Sequence, residues 1–162
     1  MSRSALFLLL VLLACASPRP AADPEAKEEA TRIFQLGLSH ATAGRSIEAE
    51  AYFRQSIDLD PDFLDGYLGL AGLFVDLGRE KESMKIYEAA LSRLGERPEI
   101  FEDRATAYER FGKLEEAIAE LRRAVEIRSK MPDTPENRKW LEQDRAGIEA
   151  LTKEVKGSGG GG

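Results

Sequence analysis

Residues 30–63 read ATRIFQLGLSHATAGRSIEAEAYFRQSIDLDPDF, residues 64–97 read LDGYLGLAGLFVDLGREKESMKIYEAALSRLGER, and residues 98–131 read PEIFEDRATAYERFGKLEEAIAELRRAVEIRSKM. Written one under another, the three lines align without a gap. Gly44, Gly78 and Gly112 fall in one column, each followed by a basic residue, Arg45, Arg79 and Lys113. Pro98 and Pro132 share another column, and Pro61 stands just before the second copy. A fixed period of this size is the mark of a stacked-repeat architecture.

The other columns carry the physics of a helical hairpin. Gly37, Ala71 and Ala105 are small, as are Ala49, Ser83 and Ala117, and again Ser56, Ala90 and Ala124. Small side chains let two helix backbones approach, so they mark the contact line within a hairpin. Phe53, Tyr87 and Leu121 are large, Ile57, Leu91 and Val125 are aliphatic, and Ile33, Tyr67 and Phe101 are large and apolar. At helical spacing these fill the space between neighbouring hairpins. Glycine at the turn admits the left-handed backbone that ends a helix. Two positions depart from the pattern. His40 stands in the column of Phe74 and Tyr108, where it is expected to pack as a substitute for an aromatic ring. Arg104 stands in the column of Leu36 and Leu70, where it would loosen the packing or place a charge at a repeat junction.

This column pattern resembles the tetratricopeptide repeat (TPR) family over residues 30–131. The resemblance implies an all-α fold, a right-handed α-solenoid of three TPR hairpins, closed by a C-terminal capping helix over residues 135–155, the whole domain covering residues 28–156. Asp133 and Thr134 are candidate N-caps for that last helix, with Pro135 at its first position. Trp140, Ile148, Leu151 and Val155 are expected on its packing face, with Trp140 as the candidate partner anchor if it stays outside. Residues 157–162 read as a flexible glycine-rich tail.

The chain opens MSRSALFLLLVLLACA, with Arg3 as the positive end and an apolar run from Ala5 to Ala14. That run is about half of the ~20 residues a spanning helix needs, and the whole reads as a signal peptide of residues 1–14. Leu12-Leu13-Ala14-Cys15 resembles a bacterial lipobox ending on the chain's single cysteine, although Leu13 stands where a smaller residue is usual. This makes Cys15 the candidate lipidation site. Ala14-Cys15-Ala16 would serve ordinary signal peptidase instead and release a soluble periplasmic or secreted protein. Ala16 rather than Asp follows the cysteine, which by resemblance to enterobacterial lipoproteins favours the outer membrane, facing the periplasm. Residues 15–27, with three prolines, read as a disordered tether.

In TPR solenoids the first helix of each hairpin lines the concave face. The resemblance therefore implies a partner-binding groove formed by Phe34, Leu38, Leu68, Val75, Glu99, Glu102 and Glu109, apolar at its N-terminal half and acidic at its C-terminal half. A protein segment with apolar anchors followed by basic residues would match both halves. TPR domains that clamp chaperone C-terminal carboxylates carry Lys and Asn at positions held here by Phe34, Leu38, Leu68, Gly72 and Glu102, so no such clamp is implied.

Other functions are poorly served. A formal charge of −6 without a basic patch does not suit nucleic acid. One histidine and one cysteine leave no His-rich metal site and no internal disulfide. No phosphate loop, dinucleotide fingerprint or nucleophile elbow is present, and no cofactor is implied. The expectation is a non-catalytic scaffold of the bacterial TPR lipoprotein type, assembling or stabilising a secretion, pilus, motility or outer-membrane complex. The alternative is a scaffold that associates with itself.

Overall fold

The computed structural model describes residues 23–158. The signal peptide, Cys15 and most of the expected tether lie outside the described residues, as does the end of the glycine-rich tail. Among the described residues there are seven helices and no strand: α1 Pro24–Thr42, α2 Ser46–Leu59, α3 Leu64–Asp76, α4 Glu80–Leu94, α5 Pro98–Arg110, α6 Leu114–Arg128 and α7 Pro135–Ser158. They pair as the hairpins α1–α2, α3–α4 and α5–α6, and α7 packs on α6. None of them is long and apolar enough to cross a membrane.

The turns repeat as the columns do. Gly44, Gly78 and Gly112 have φ of 74°, 69° and 73°. In each turn the amide of the following basic residue reaches back over the glycine: Arg45 to the His40 carbonyl (2.9 Å), Arg79 to Phe74 (2.8 Å), Lys113 to Tyr108 (2.9 Å). This left-handed cap satisfies carbonyls that the helix end would otherwise leave bare.

The small columns lie on the hairpin contact lines. Ala49, Ser83, Ala117, Ser56, Ala90 and Ala124 are fully buried. Phe53 and Tyr87 fill the spaces beside them. The apolar interior is a file of three clusters: one around Phe53, Leu70 and Phe74, one around Tyr67, Val75, Tyr87 and Ile100, and one around Ala105, Ile118 and Leu151. Ion pairs stitch consecutive hairpins on the outside. Asp62 and Glu96, one period apart, hold Arg93 at 2.8 Å and Arg123 at 2.6 Å on the hairpin that follows. Arg79 bridges back to Glu50 at 3.2 Å, and Lys113 to Glu80.

Several boundaries differ from the sequence expectation. Helix α1 begins at Pro24, so residues 24–27 of the expected tether are helical. Asp23 caps the helix by accepting the Glu25 amide at 3.1 Å, and Pro24 sits at the first turn, where its missing N–H costs nothing. At the other end α7 runs on to Ser158, three residues past its expected end and into the expected tail. Thr134, not Asp133, is its N-cap, accepting the Asn137 amide at 3.1 Å, while Asp133 pairs with Arg138 at 2.9 Å.

His40 packs as expected, its ring tilted on Tyr52 at 4.9 Å and its Nδ1 accepting from Arg45. Arg104 is the other departure from the column pattern. It binds Glu120 at 2.7 Å within its own hairpin and lies over the Phe101 ring. The charge that interrupts the leucine column is neutralised by a partner on α6.

Candidate functional site

A cleft of about 410 Å³ opens where α5 faces α7, with Leu68 of α3 at its upstream end. Its walls are Glu99, Glu102, Asp103, Thr106 and Glu109 from α5, Leu121 from α6, and Trp140, Gln143, Asp144 and Gly147 from α7. Residues 99, 102, 106 and 109 follow a spacing of three and four, so they fall on one face of α5.

The residues expected in the groove divide into three groups. Leu68, Glu99, Glu102 and Glu109 are brought together on this cleft. Leu38 remains exposed on α1, away from it. Phe34 and Val75 are drawn inward. Phe34 packs on Phe53 at 5.4 Å and edge-on to Phe63 at 5.5 Å. A Cβ on Gly69 would meet the Phe34 ring at 2.7 Å, so Phe34 is a wedge between the first two hairpins more than a groove wall. Val75 is 7% exposed and belongs to the core around Tyr87 and Ile100. Joining consecutive hairpins thus draws on the larger apolar side chains, although Val75 still borders a smaller pocket that shares Asp103 and Thr106 with the cleft.

Two carboxylates of the cleft wall, Glu102 and Asp144, join Arg128 outside the lining in an ionic knot. Arg128, the last residue of α6, is buried and donates from Nε to Glu102 of α5 at 2.6 Å. The same nitrogen is 3.6 Å from Asp144 Oδ2 of α7. Its guanidinium lies 5.4 Å from the centre of the Trp140 ring. Asp144 is 5% exposed, and its Oδ2 accepts no hydrogen bond. Burial first, and the Glu102 charge second, push the Asp144 carboxyl up to about 6 against the pull of Arg128. Behind α5, Tyr87 donates to Asp103 at 2.7 Å, and burial holds both groups above their ordinary values.

From the α7 side of the cleft the sequence offered Trp140 alone, as an anchor should it stay outside, and not Gln143, Asp144 or Gly147. Sequence reasoning expected Trp140 on the packing face with Ile148, Leu151 and Val155, yet Trp140 is 43% exposed at the rim. The face that packs carries Asn137, Leu141, Asp144, Ile148, Leu151 and Val155, two interleaved series seven residues apart. The signal was present, but two of its six positions are polar. Asn137 earns its burial by donating to the carbonyls of Arg128 and Pro132.

The arrangement offers recognition. It is an open, acidic, aromatic-edged groove on a rigid stack, and among the described residues no group of His, Cys, Asp and Glu side chains is placed to hold a metal.

Three stacked hairpins with a capping helix and a groove on the first-helix side define a class of helical repeat proteins. A family model described as tetratricopeptide repeat matches residues 34–99 and 85–132, more than half of the chain, and the protein belongs to that family. The fold is similar to PcrH of Pseudomonas aeruginosa, solved with the chaperone binding region of PopD: 20% identity, TM-score 0.62, covering 79% of this chain and 94% of that one. It is similar to the Yersinia enterocolitica type III secretion chaperone SycD with a peptide of the translocator YopD: 19% identity, TM-score 0.61, covering 79% and 95%. It is also similar to Pseudomonas aeruginosa PilF: 21% identity, TM-score 0.62, covering 80% of this chain and 55% of that one. At these identities the likeness is one of fold. No curated protein matches the chain by sequence.

Proposed function

We propose that this protein is a non-catalytic adaptor that seats a segment of a partner protein along its first-helix face, and that it works at the bacterial cell envelope from a lipid anchor on Cys15. The observation that carries the binding reading is the convergence of Leu68, Glu99, Glu102 and Glu109 on one open cleft. Two proteins of similar fold were solved with such a segment, PcrH with a region of PopD and SycD with a peptide of YopD. The segment suited here has apolar anchors for Leu38 and Leu68 followed by basic residues for the glutamates. A chain-terminal carboxylate would meet repulsion from the same glutamates. The anchor is supported by the lipobox pattern of Leu12 to Cys15, and the similarity to secretion chaperones and to PilF supports a role in assembling a secretion or pilus complex.

Selection of a random peptide library on the immobilised protein tests the binding reading. Enriched peptides should carry leucine-like residues followed by lysine or arginine. Leu38→Ala with Leu68→Ala should weaken them by about ten-fold, a loss of ~1.4 kcal/mol. If nothing is enriched, or the double substitution leaves affinity unchanged, the groove is not the binding face. Mass spectrometry of the mature N-terminus tests the anchor. A diacylated Cys15 is expected, and an unmodified chain starting at Ser17 would refute it.

A further inference from the structure

The chemistry of the cleft between α5 and α7 specifies what its occupant must carry. Its walls hold five carboxylates, Glu99, Glu102, Asp103, Glu109 and Asp144, and no lysine or arginine. Acidic stretches are common on solvated helix faces, so this alone decides nothing. Asp144 is different in kind. It is nine-tenths buried, it borders the cleft, and its Oδ2 has no donor. Arg128 reaches it as an ion pair only: its Nε donates to Glu102 at 2.6 Å and lies 3.6 Å from Asp144 Oδ2, beyond hydrogen-bond distance. A carboxylate oxygen withdrawn from water and left without a donor bears its full desolvation cost, and a donor entering from the cleft would relieve it.

Trp140 is the second, independent feature. It borders the same cleft and is 43% exposed, and Arg128 beside it shows that this environment accepts a cation. An exposed indole next to an unsatisfied carboxylate is the pairing that binds an ammonium or guanidinium with its alkyl stem.

We propose that this cleft is the pocket for a lysine or arginine side chain of the partner segment, which donates to Asp144 Oδ2 and lays its stem along Trp140. The proposal rests on the groove reading above and deepens it. Leu68 borders the same cleft, so an apolar residue and the cation would be neighbours in one segment.

Trp140 is the chain's single tryptophan, so its fluorescence reports on this pocket alone. The probe is acetyl-Leu-Ala-Leu-Ala-Lys-Lys-amide, compared with the same peptide carrying norleucine at both lysines. The lysine peptide should shift Trp140 emission and bind about ten-fold more tightly than its neutral counterpart. Asp144→Asn should abolish that preference. Glu109 is exposed at the rim, and Glu109→Gln should weaken only the lysine peptide, by about three-fold. This second variant keeps the proposal testable should Asp144→Asn fail to fold. Equal binding of the two peptides overturns the pocket, as does a lysine preference that survives Asp144→Asn or is undiminished by Glu109→Gln, or no emission change with the lysine peptide. Library peptides that depend on Leu68 but carry no basic residue would leave the groove standing and remove the pocket.

Discussion

Arg128 is the residue on which the C-terminal third converges. It closes α6, donates to Glu102 on α5 and faces Asp144 on α7. Removing one member of a buried ionic group leaves the others uncompensated, which costs more than the group contributes when intact. Arg128→Met should therefore destabilise the protein by about 3 kcal/mol in urea denaturation followed by circular dichroism, since Glu102 and Asp144 would face each other as like charges. Asp144 gives the opposite sign. The charged groups facing it are Glu102 from α5 and Arg128 from α6, and its carboxyl titrates at about 6 in the folded protein. That lies above its ordinary value, so the folded state holds this proton longer than the unfolded chain does. Its contribution to stability is fully present below about pH 4 and is lost as the pH rises toward 6. Asp144→Asn should thus gain on wild type between about pH 4 and pH 7, by ~1–2 kcal/mol after allowing for water in the open cleft. Urea midpoints of both proteins at the two pH values check this, and a constant difference would contradict it. Neither residue announced its role in the sequence. Arg128 reads as an ordinary basic helix end and Asp144 as part of a polar face, and only the approach of α7 to α5 makes them a site.

Among the elements, the hairpin turns were fully legible and the capping helix was half legible. A turn glycine is dictated by local backbone geometry, so the spacing of Gly44, Gly78 and Gly112 was sufficient. The structure adds a contrast between two glycines six residues apart. Gly78 has φ of 69°, while Gly72 lies within α3, and a Cβ would meet nothing within 4 Å at either. Space is equal, so conformation decides. Gly78→Ala should cost roughly 1 kcal/mol for the left-handed strain, and Gly72→Ala should gain roughly 0.5–1 kcal/mol from helix propensity and a less flexible unfolded chain. Thermal melts of the two variants would show shifts of opposite sign. Helix α7 resisted reading for a tertiary reason. Its packing face includes Asn137, which donates to the carbonyls of Arg128 and of Pro132 in the loop beyond α6, and Asp144, which faces the Arg128 guanidinium. A hydrophobic pattern detects apolar residues that are buried, but it is blind to polar residues buried among partners.

At the scale of the molecule, the solenoid was legible because each repeat touches only its neighbours, so local periodicity nearly determines the whole. The groove was less so. The same first-helix positions must both join hairpins and face a partner, and the sequence does not say which use wins: Phe34 and Val75 went to packing, while Leu68 and the glutamates stayed at the surface. Nearest-neighbour construction also means that stability is distributed, not pooled in one core. The three apolar clusters follow one another along the stack, and the last depends on α7, through Leu151 with Ile148 and Val155 against Ala105, Ala117 and Leu121. Ending the chain at Met131 would uncover that cluster and strip Arg128 of Asp144. Loss of one fully buried and two partly buried aliphatic side chains amounts to ~4 kcal/mol, or about a thousand-fold in the local opening constant. In hydrogen exchange of the truncated chain, the amides of α5 and α6 should speed up by that order, while those of α1 and α2, two hairpins away, should change little. Equal acceleration from α1 to α6 would mean that the stack opens as one cooperative unit, and that the cap stabilises the whole molecule instead of sealing its last repeat.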